Sequence, residues 1–261
     1  MKILGDIELV YKETLMIQCY STLLTITVLV DERSRRHDVE ATYGLSLLLT
    51  LESKGKKHHI LFDVGPSWDI LKHNLLCLGY DIDIIDRIFI SHWHRDHYGA
   101  LFDLLEDVGD KRIKLYVPVR NKVAVEVEKK YPEKVSIVVC KRWTPIAPLM
   151  KSTGPIRSSL EHALKVRLPN RGVVLFTGCS HAGLINIIKW GLRANEPLYA
   201  IVGGFHFKEK PLDSVERELL FLEELGVKYV IPLHCSDNHS LITEILGDKV
   251  LDLGVGDLAV L

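Results

Sequence analysis

The segment Arg87-Ile88-Phe89-Ile90-Ser91-His92-Trp93-His94-Arg95-Asp96-His97 sets a short apolar run directly against three histidines and an aspartate. A run of that kind reads as a buried strand, and α/β sheets gather ligands just beyond the carboxyl ends of their strands. The chain must therefore fold so that one sheet edge holds a polar cluster. Imidazole with carboxylate is the donor set of zinc, iron(II) and manganese(II), and thiolate tilts the choice toward zinc. In extended or tightly turned backbone, side chains two residues apart point the same way, so His92 and His94 can grip one ion together. Asp96 and His97 lie one turn further on, placed for a second ion. Chance would put these four residues in this register roughly once or twice in a thousand such chains, so a metal site outweighs coincidence.

Each ion needs at least three protein ligands, so partners are expected at other strand ends. Three histidines have that context. His181 ends Phe176-Thr177-Gly178-Cys179-Ser180-His181, His206 ends Val202-Gly203-Gly204-Phe205-His206, and His234 follows Ile231-Pro232-Leu233.

The rest of the chain alternates short β-branched runs with amphipathic stretches. Strands are expected over residues 22–30, 45–51, 59–62, 87–91, 114–117, 135–140, 163–168, 172–177, 198–202 and 227–232. Helices are expected over 68–78, 98–106, 121–130, 182–192, 213–225 and 240–246, with Asp213 as an N-cap and Ile70, Leu71, Leu75 and Leu78 sharing one face. A hairpin is expected to close the chain near residues 254–256. No Pro/Gly/Ser-rich linker or short-period repeat divides the chain. The expectation is one domain over residues 1–261, of α/β (α+β) class. Its two mixed sheets pack together under helices on both outer faces, an αββα sandwich in four layers.

Composition narrows the partners. The 261 residues carry 33 basic and 34 acidic side chains, a formal charge of -1, which gives no pull toward nucleic acid or an anionic membrane. The basic run Lys54-Gly55-Lys56-Lys57-His58-His59 is read as a polar hairpin turn. Residues 23–30 are too short an apolar run to span a bilayer, and Met1-Lys2-Ile3-Leu4-Gly5-Asp6 lacks the apolar stretch of a signal peptide. Five scattered cysteines without a CxxC pair suit a reduced, cytoplasmic chain, and Cys19, Cys77 and Cys140 are read as buried core thiols. Trp68, Trp143 and Trp190 are read as packing residues, and the pair Gly203-Gly204 is weak evidence for a phosphate-cradling turn.

The order Phe62-Asp63-Val64-Gly65, then Ser91 to His97, then Phe176 to His181, then Pro232 to Cys235, resembles the metallo-β-lactamase superfamily. Tyr43-Gly44-Leu45-Ser46, Gly178-Cys179-Ser180-His181-Ala182-Gly183, Gly203-Gly204-Phe205-His206 and His234-Cys235-Ser236 look like one subgroup of it. That subgroup is the metal-dependent hydrolases related to an archaeal dihydropterin–ribofuranosylaminobenzene phosphate synthase. The resemblance runs over nearly the whole chain and implies the αββα metallo-β-lactamase fold with a metal cleft along one edge.

By the same resemblance, His92 and His94 match the ligands of one ion, and Asp96, His97 and His234 match the other. Asp63 matches an aspartate that supports the ligand loop by accepting hydrogen bonds. Asp96 would also orient the nucleophilic water and take its proton, and His206 joins it as a candidate catalytic group. Where most relatives carry a carboxylate bridging the ions, this chain has Cys179; zinc β-lactamases place a cysteine ligand there. The histidine expected before that strand has no clear counterpart, and the candidates to complete the set rank His181, Cys179, His206, then His162.

The function expected is a metallohydrolase, with zinc first, two ions, and iron or manganese as alternatives, acting on a small-molecule ester, phosphoester or lactone. The alternative is a transferase joining a dihydropterin diphosphate to ribofuranosylaminobenzene phosphate, as in methanopterin biosynthesis; a metal-binding or redox protein is a third class. The substrate is expected to be small and possibly anionic or phosphorylated, with neither nucleic acid nor membrane as partner. Its pocket is expected from the loops at 33–40 and 144–159. Trp93, Arg95 and Tyr98 flank the donors, and Arg95 could pair with substrate or with a protein carboxylate.

Overall fold

The computed structural model describes residues 22–156, 158–208 and 210–261. The readings on Cys19 and on residues 1–6 fall outside them. The first half runs β1 (Leu23–Val30), β2 (Ser46–Ser53), β3 (Lys56–Phe62), α1 (Trp68–Cys77), β4 (Arg87–Phe89), α2 (Arg95–Tyr98), α3 (Leu101–Asp107), β5 (Ile113–Val117), α4 (Lys122–Lys130) and β6 (Val135–Val139). The second half runs β7 (Pro145–Ala147), β8 (Met150–Ser152), β9 (Leu164–Leu168), β10 (Gly172–Thr177), α5 (Leu184–Gly191), β11 (Leu198–Gly204), α6 (Leu212–Glu224), β12 (Tyr229–Leu233), α7 (His239–Leu246) and β13 (Leu258–Val260).

One sheet has the order β13-β1-β2-β3-β4-β5-β6 and the other β12-β11-β10-β9-β8-β7. Alternation along each strand sorts its side chains between two cores. On β2, Leu47, Leu49 and Leu51 enter the core between the sheets, while Leu48 joins the outer core with Leu71 and Leu75 of α1 and Leu101, Leu104 and Leu105 of α3. On β10, Val174 and Phe176 point inward, and Val173 and Leu175 pack with α5 and α6. Strands covered on both faces read as continuous apolar runs, and each such leucine contributes roughly 1.5–3 kcal/mol by leaving water. The result is the four-layer αββα arrangement. No helix among the described residues is long and apolar enough to cross a membrane.

The inner core ends in an aromatic platform at the edge that carries the donors. Phe62 stacks on Phe89 at 5.4 Å between ring centroids, approaches Phe176 at 6.1 Å, and Phe89 stacks on the imidazole of His162 at 4.0 Å. A register shift between Val28 and Val30, opposite β2, sits immediately before Asp31 and Glu32. Bulges of this kind re-aim the residues that follow.

Several expectations change. The helix expected over 98–106 begins at Leu101, and Tyr98 ends the separate short α2; between them Gly99 packs so closely that a Cβ there would lie 2.5 Å from the Pro66 carbonyl oxygen. Asp213 lies in the first turn of α6, whose N-cap is Pro211, so its carboxylate acts on the helix dipole instead. Cys77 is exposed beside His73, since α1 buries Trp68, Leu71, Asn74 and Leu75 and a residue two past Leu75 falls on the opposite side. Ile70 and Leu78 are only partly buried. Instead of a closing hairpin near 254–256, β13 pairs antiparallel with β1. Residues 144–159, expected as a loop, hold β7 and β8, which form a short hairpin around Leu149, at φ 62, with β8 pairing onto β9.

His162 is a core residue. One ring nitrogen lies 2.8 Å from Ser152 Oγ and the other 2.8 Å from the Ile90 carbonyl oxygen. Burial pushes its pKa down to about 3. A value depressed below the unfolded imidazole means its contribution is complete above about pH 6.5 and is lost as pH falls toward 3. Urea unfolding of His162→Gln should therefore show a stability loss between pH 6.5 and 4.5 smaller than wild type by about 2–3 kcal/mol. An unchanged pH slope would contradict this assignment.

Candidate metal centre

The donors come from three strand ends brought to one edge. His92, His94, Asp96 and His97 follow β4, Cys179 and His181 follow β10, and His234 follows β12. Among the described residues they sort into two groups whose ligand atoms lie within 4.8 Å of one another. One is His92, His94 and His181; the other is Asp96, His97, Cys179 and His234. In the first, His92 Nε2 and His181 Nε2 are 3.2 Å apart. In the second, His97 Nε2 lies 3.1 Å from Cys179 Sγ, and His234 Nε2 lies 3.0 Å from Asp96 Oδ2.

Two glycines allow the loops to come this close, Gly178 between the two sheets and Gly204 within the second. A Cβ at Gly178 would lie 2.1 Å from Ser91 Oγ, and one at Gly204 would lie 2.2 Å from the Gly178 carbonyl oxygen. Asp63, Ser180, His206 and Cys235, all near the centre, hold positive φ between 53° and 62°. Such backbone costs on the order of 1–3 kcal/mol per residue and persists where the surroundings fix it.

Behind the donors stands a layer of acceptors. Asp63 Oδ1 accepts from Ser91 N at 2.7 Å, and Oδ2 lies 2.6 Å from Ser91 Oγ and 2.7 Å from His97 Nδ1. The Ser91 hydroxyl spends its proton on Asp63, so at 2.9 Å it accepts from Nδ1–H of His92. Glu32 Oε1 lies 2.6 Å from His234 Nδ1, and Asp31 Oδ1 accepts from His234 N at 2.6 Å. Three histidines thus have Nδ1 engaged and turn Nε2 toward the centre, the tautomer a metal ligand needs.

The other site expectations fall into place around this. His206 stands beside His181, with ring centroids 4.4 Å apart, but in neither donor group. His162 is in neither group and points both nitrogens into the core. Arg95 is exposed and, among the described residues, pairs with no carboxylate. Sequence reasoning passed over Asp31 and Glu32. They sit just past the end of β1, the same signal that marked His181 and His234, but two consecutive acids also read as a solvated turn.

Charge divides the groups. Burial, then neighbouring imidazoles, holds His92 well below the ordinary imidazole value and His181 down to about 4. Burial lowers His94 against the pull of Asp96. His97 and His234 go the other way. Burial opposes their charge, yet Asp63 raises His97, while Asp96 and Glu32 carry His234 to about 10. Burial also opposes the charge of Asp96, but His234 and His97 hold it well below the usual carboxylate range. The Cys235 side chain, then burial, pushes the Cys179 thiol up, so its thiolate needs a cation beside it.

Three imidazoles in one group, and two imidazoles with a carboxylate and a thiol in the other, form donor sets that suit divalent zinc, iron or manganese. Beside His234 opens a cavity of about 240 Å³, with Glu32, Arg33, Tyr43, Lys208 and His239 in its walls.

Residues 58–166 match the model of the β-lactamase superfamily domain. The chain is 26% identical to the 7,8-dihydropterin-6-methyl-4-(β-D-ribofuranosyl)-aminobenzene-5'-phosphate synthase of Methanocaldococcus jannaschii, over 74% of this chain and 81% of that one. It is also 26% identical to a solved metal-dependent hydrolase of the β-lactamase superfamily, with TM-score 0.71, over 90% of this chain and 98% of that one. A metallo-β-lactamase fold protein from Bacillus subtilis, 15% identical, shares the fold with TM-score 0.62 over 90% and 99% of the two chains. The relatives named for an activity are enzymes, a synthase and a hydrolase.

Divalent metal loading at about pH 7.5 should release protons from the Asp96, His97, Cys179 and His234 group and roughly none from the three-histidine group. Affinity at the Asp96, His97, Cys179 and His234 group should rise from about pH 6 to about pH 9, and affinity at the three-histidine group should stay flat over that range. Titration calorimetry in buffers of different ionisation enthalpy measures both. Proton-free loading at every step would contradict the charge assignment.

Proposed function

We propose that this enzyme is a metal-dependent hydrolase that cleaves an ester, phosphoester or lactone bond in a small, anionic molecule. The observation that carries the reading is the pairing of a three-histidine group with an Asp-His-Cys-His group at an edge open to water. His94 is exposed and Asp96 is part-exposed, so solvent reaches both groups. His92, His94 and His181 would hold one ion, and Asp96, His97, Cys179 and His234 a second, with zinc favoured by the thiol and imidazoles. Bound there, such ions supply Lewis acidity and bring the pKa of water toward neutrality.

The protein's own groups do the rest. Asp63, Ser91 and Glu32 hold the imidazoles in register. The part-exposed Asp96 carboxylate, ionised throughout the working pH range, orients the attacking water and accepts its proton. His206, beside His181, is placed to hydrogen-bond the leaving group. The substrate's anionic end enters the cavity beside His234, where the Lys208 ammonium sits 6.0 Å from the Tyr43 ring centroid. The four described cysteines are free thiols, which suits a cytoplasmic setting.

A second reading is supported by the 26% identity to the synthase: transfer of a dihydropterin onto ribofuranosylaminobenzene phosphate with loss of diphosphate. Transfer requires water to be kept from the reacting carbon, and the open edge at His94 favours hydrolysis.

A panel of esters, lactones and phosphoesters, run beside the two synthase substrates, separates the readings. Turnover on the panel is expected, falling roughly 10²–10⁴-fold in kcat for Asp96→Asn. Lys208→Ala should mainly raise KM for anionic substrates, leaving kcat near wild type. Condensation product without panel turnover would replace hydrolysis with transfer. Full activity in His94→Ala would contradict both.

A further inference from the structure

A second cavity, of about 220 Å³, lies on the outer face of the second sheet and shares no residue with either donor group. Its walls bring together Trp143, Lys151, Lys165, Arg167, Arg193 and Glu196. Lys151 on β8 is directly opposite Lys165 on β9, and Arg167 follows two residues later on the same face. Arg193 reaches in from the turn after α5. The Lys165 ammonium lies 4.6 Å from the Trp143 ring centroid and the Arg193 guanidinium 5.0 Å from it. Arg142 adds a guanidinium at 5.1 Å from the same ring and 4.2 Å from that of Trp190.

This is a costly way to place cations. Like charges directly opposite one another on a ladder are destabilising, and lysine is almost never buried without a partner. The Lys165 side chain is only 7% exposed. Glu196 pairs with it and also accepts from Arg193 N at 2.7 Å. One carboxylate for four lining cations leaves a net of three positive charges in the cavity. Burial, resisted by Glu196, and repulsion from Arg193 and Arg167 push the Lys165 ammonium below its ordinary range. Trp143, at φ 67, is held with its ring among these cations instead of in the apolar core.

We propose that this cavity binds a small polyanion of the phosphate class, a diphosphate group or a phosphate ester, between Lys151, Lys165, Arg167 and Arg193. A single carboxylate ligand would neutralise one of the three excess charges; a diphosphate neutralises all of them. Arginine forks and a lysine point charge suit phosphate oxygens. The cavity, at about 220 Å³, has the size of a small molecule, and the chain's formal charge of -1 gives no wider basic track for a nucleic acid.

The test titrates the metal-loaded enzyme with inorganic diphosphate, with a phosphate monoester, and with a single-stranded RNA oligomer at constant ionic strength. Binding is followed by calorimetry and by tryptophan fluorescence. Saturable binding of diphosphate or monoester is expected, with a fluorescence change that disappears in Trp143→Phe. The exposed pair Lys151→Ala with Arg167→Ala should weaken that binding roughly tenfold or more. Metal content and turnover at the centre should stay at wild-type levels in that double variant. Tighter binding of diphosphate or of monoester assigns the ligand within the class. No saturable binding, or binding unaltered in the double variant, overturns the proposal. RNA that binds more tightly than both small anions overturns it in favour of a nucleic-acid contact.

Discussion

One buried carboxylate, Asp63, ties the two donor groups together. It takes His97 Nδ1 directly and reaches His92 through the Ser91 hydroxyl, so a single side chain sets the ring orientation of one histidine in each group. Its other oxygen accepts Ser91 N, which fixes the backbone where β4 ends and the histidines begin. Charge-assisted bonds of this kind contribute about 1.5–3 kcal/mol each, and a buried carboxylate without them would cost more than it returns. Asp63 itself sits at φ 54, a conformation that an aspartate tolerates better than most side chains. On the far side of the centre, Glu32 does for His234 what Asp63 does for His97.

The fold serves this arrangement from below. Phe62 precedes Asp63, Phe89 precedes Ser91 by two residues, and Phe176 precedes Gly178 by two, so each strand sinks an aromatic ring into the inner core just before its polar residues emerge. Buried aromatics resist displacement, and loops that leave such anchors hold their first residues closely. His162 belongs to the same platform as a neutral imidazole stacked on Phe89. It is in the core for packing and for two hydrogen bonds, and its chemistry is spent there.

The sequence made the layers and much of the centre legible. Alternation in β2 and β10 and the spacing in α6 are local signals, so the elements they predict appear within a few residues of the expected bounds. His92, His94, Asp96 and His97 are close in sequence, and His181 and His234 carry the mark of a strand end. What stayed hidden depends on contacts far apart along the chain. Glu32 and its partner His234 are 202 residues apart, and nothing in either segment names the other. Cys179 and His181, two residues apart, fall into different groups, a split decided by how β10 lies against the histidine loop. The hairpin of β7 and β8 is short, contains a proline and a lysine, and carries too little alternation to be read as strands. Cys77 shows the converse error: an apolar neighbourhood in sequence became an exposed side of a helix.

The central claim is that two divalent ions are held at the edge of this sandwich, by His92, His94 and His181 and by Asp96, His97, Cys179 and His234. Anomalous diffraction from crystals of the metal-loaded protein, recorded above and below the zinc, iron and manganese edges, tests it most directly. The account predicts two peaks, one within bonding distance of each group, with Cys179 Sγ bound at the second. A single peak outside both groups, or none in protein shown to be loaded, would contradict it.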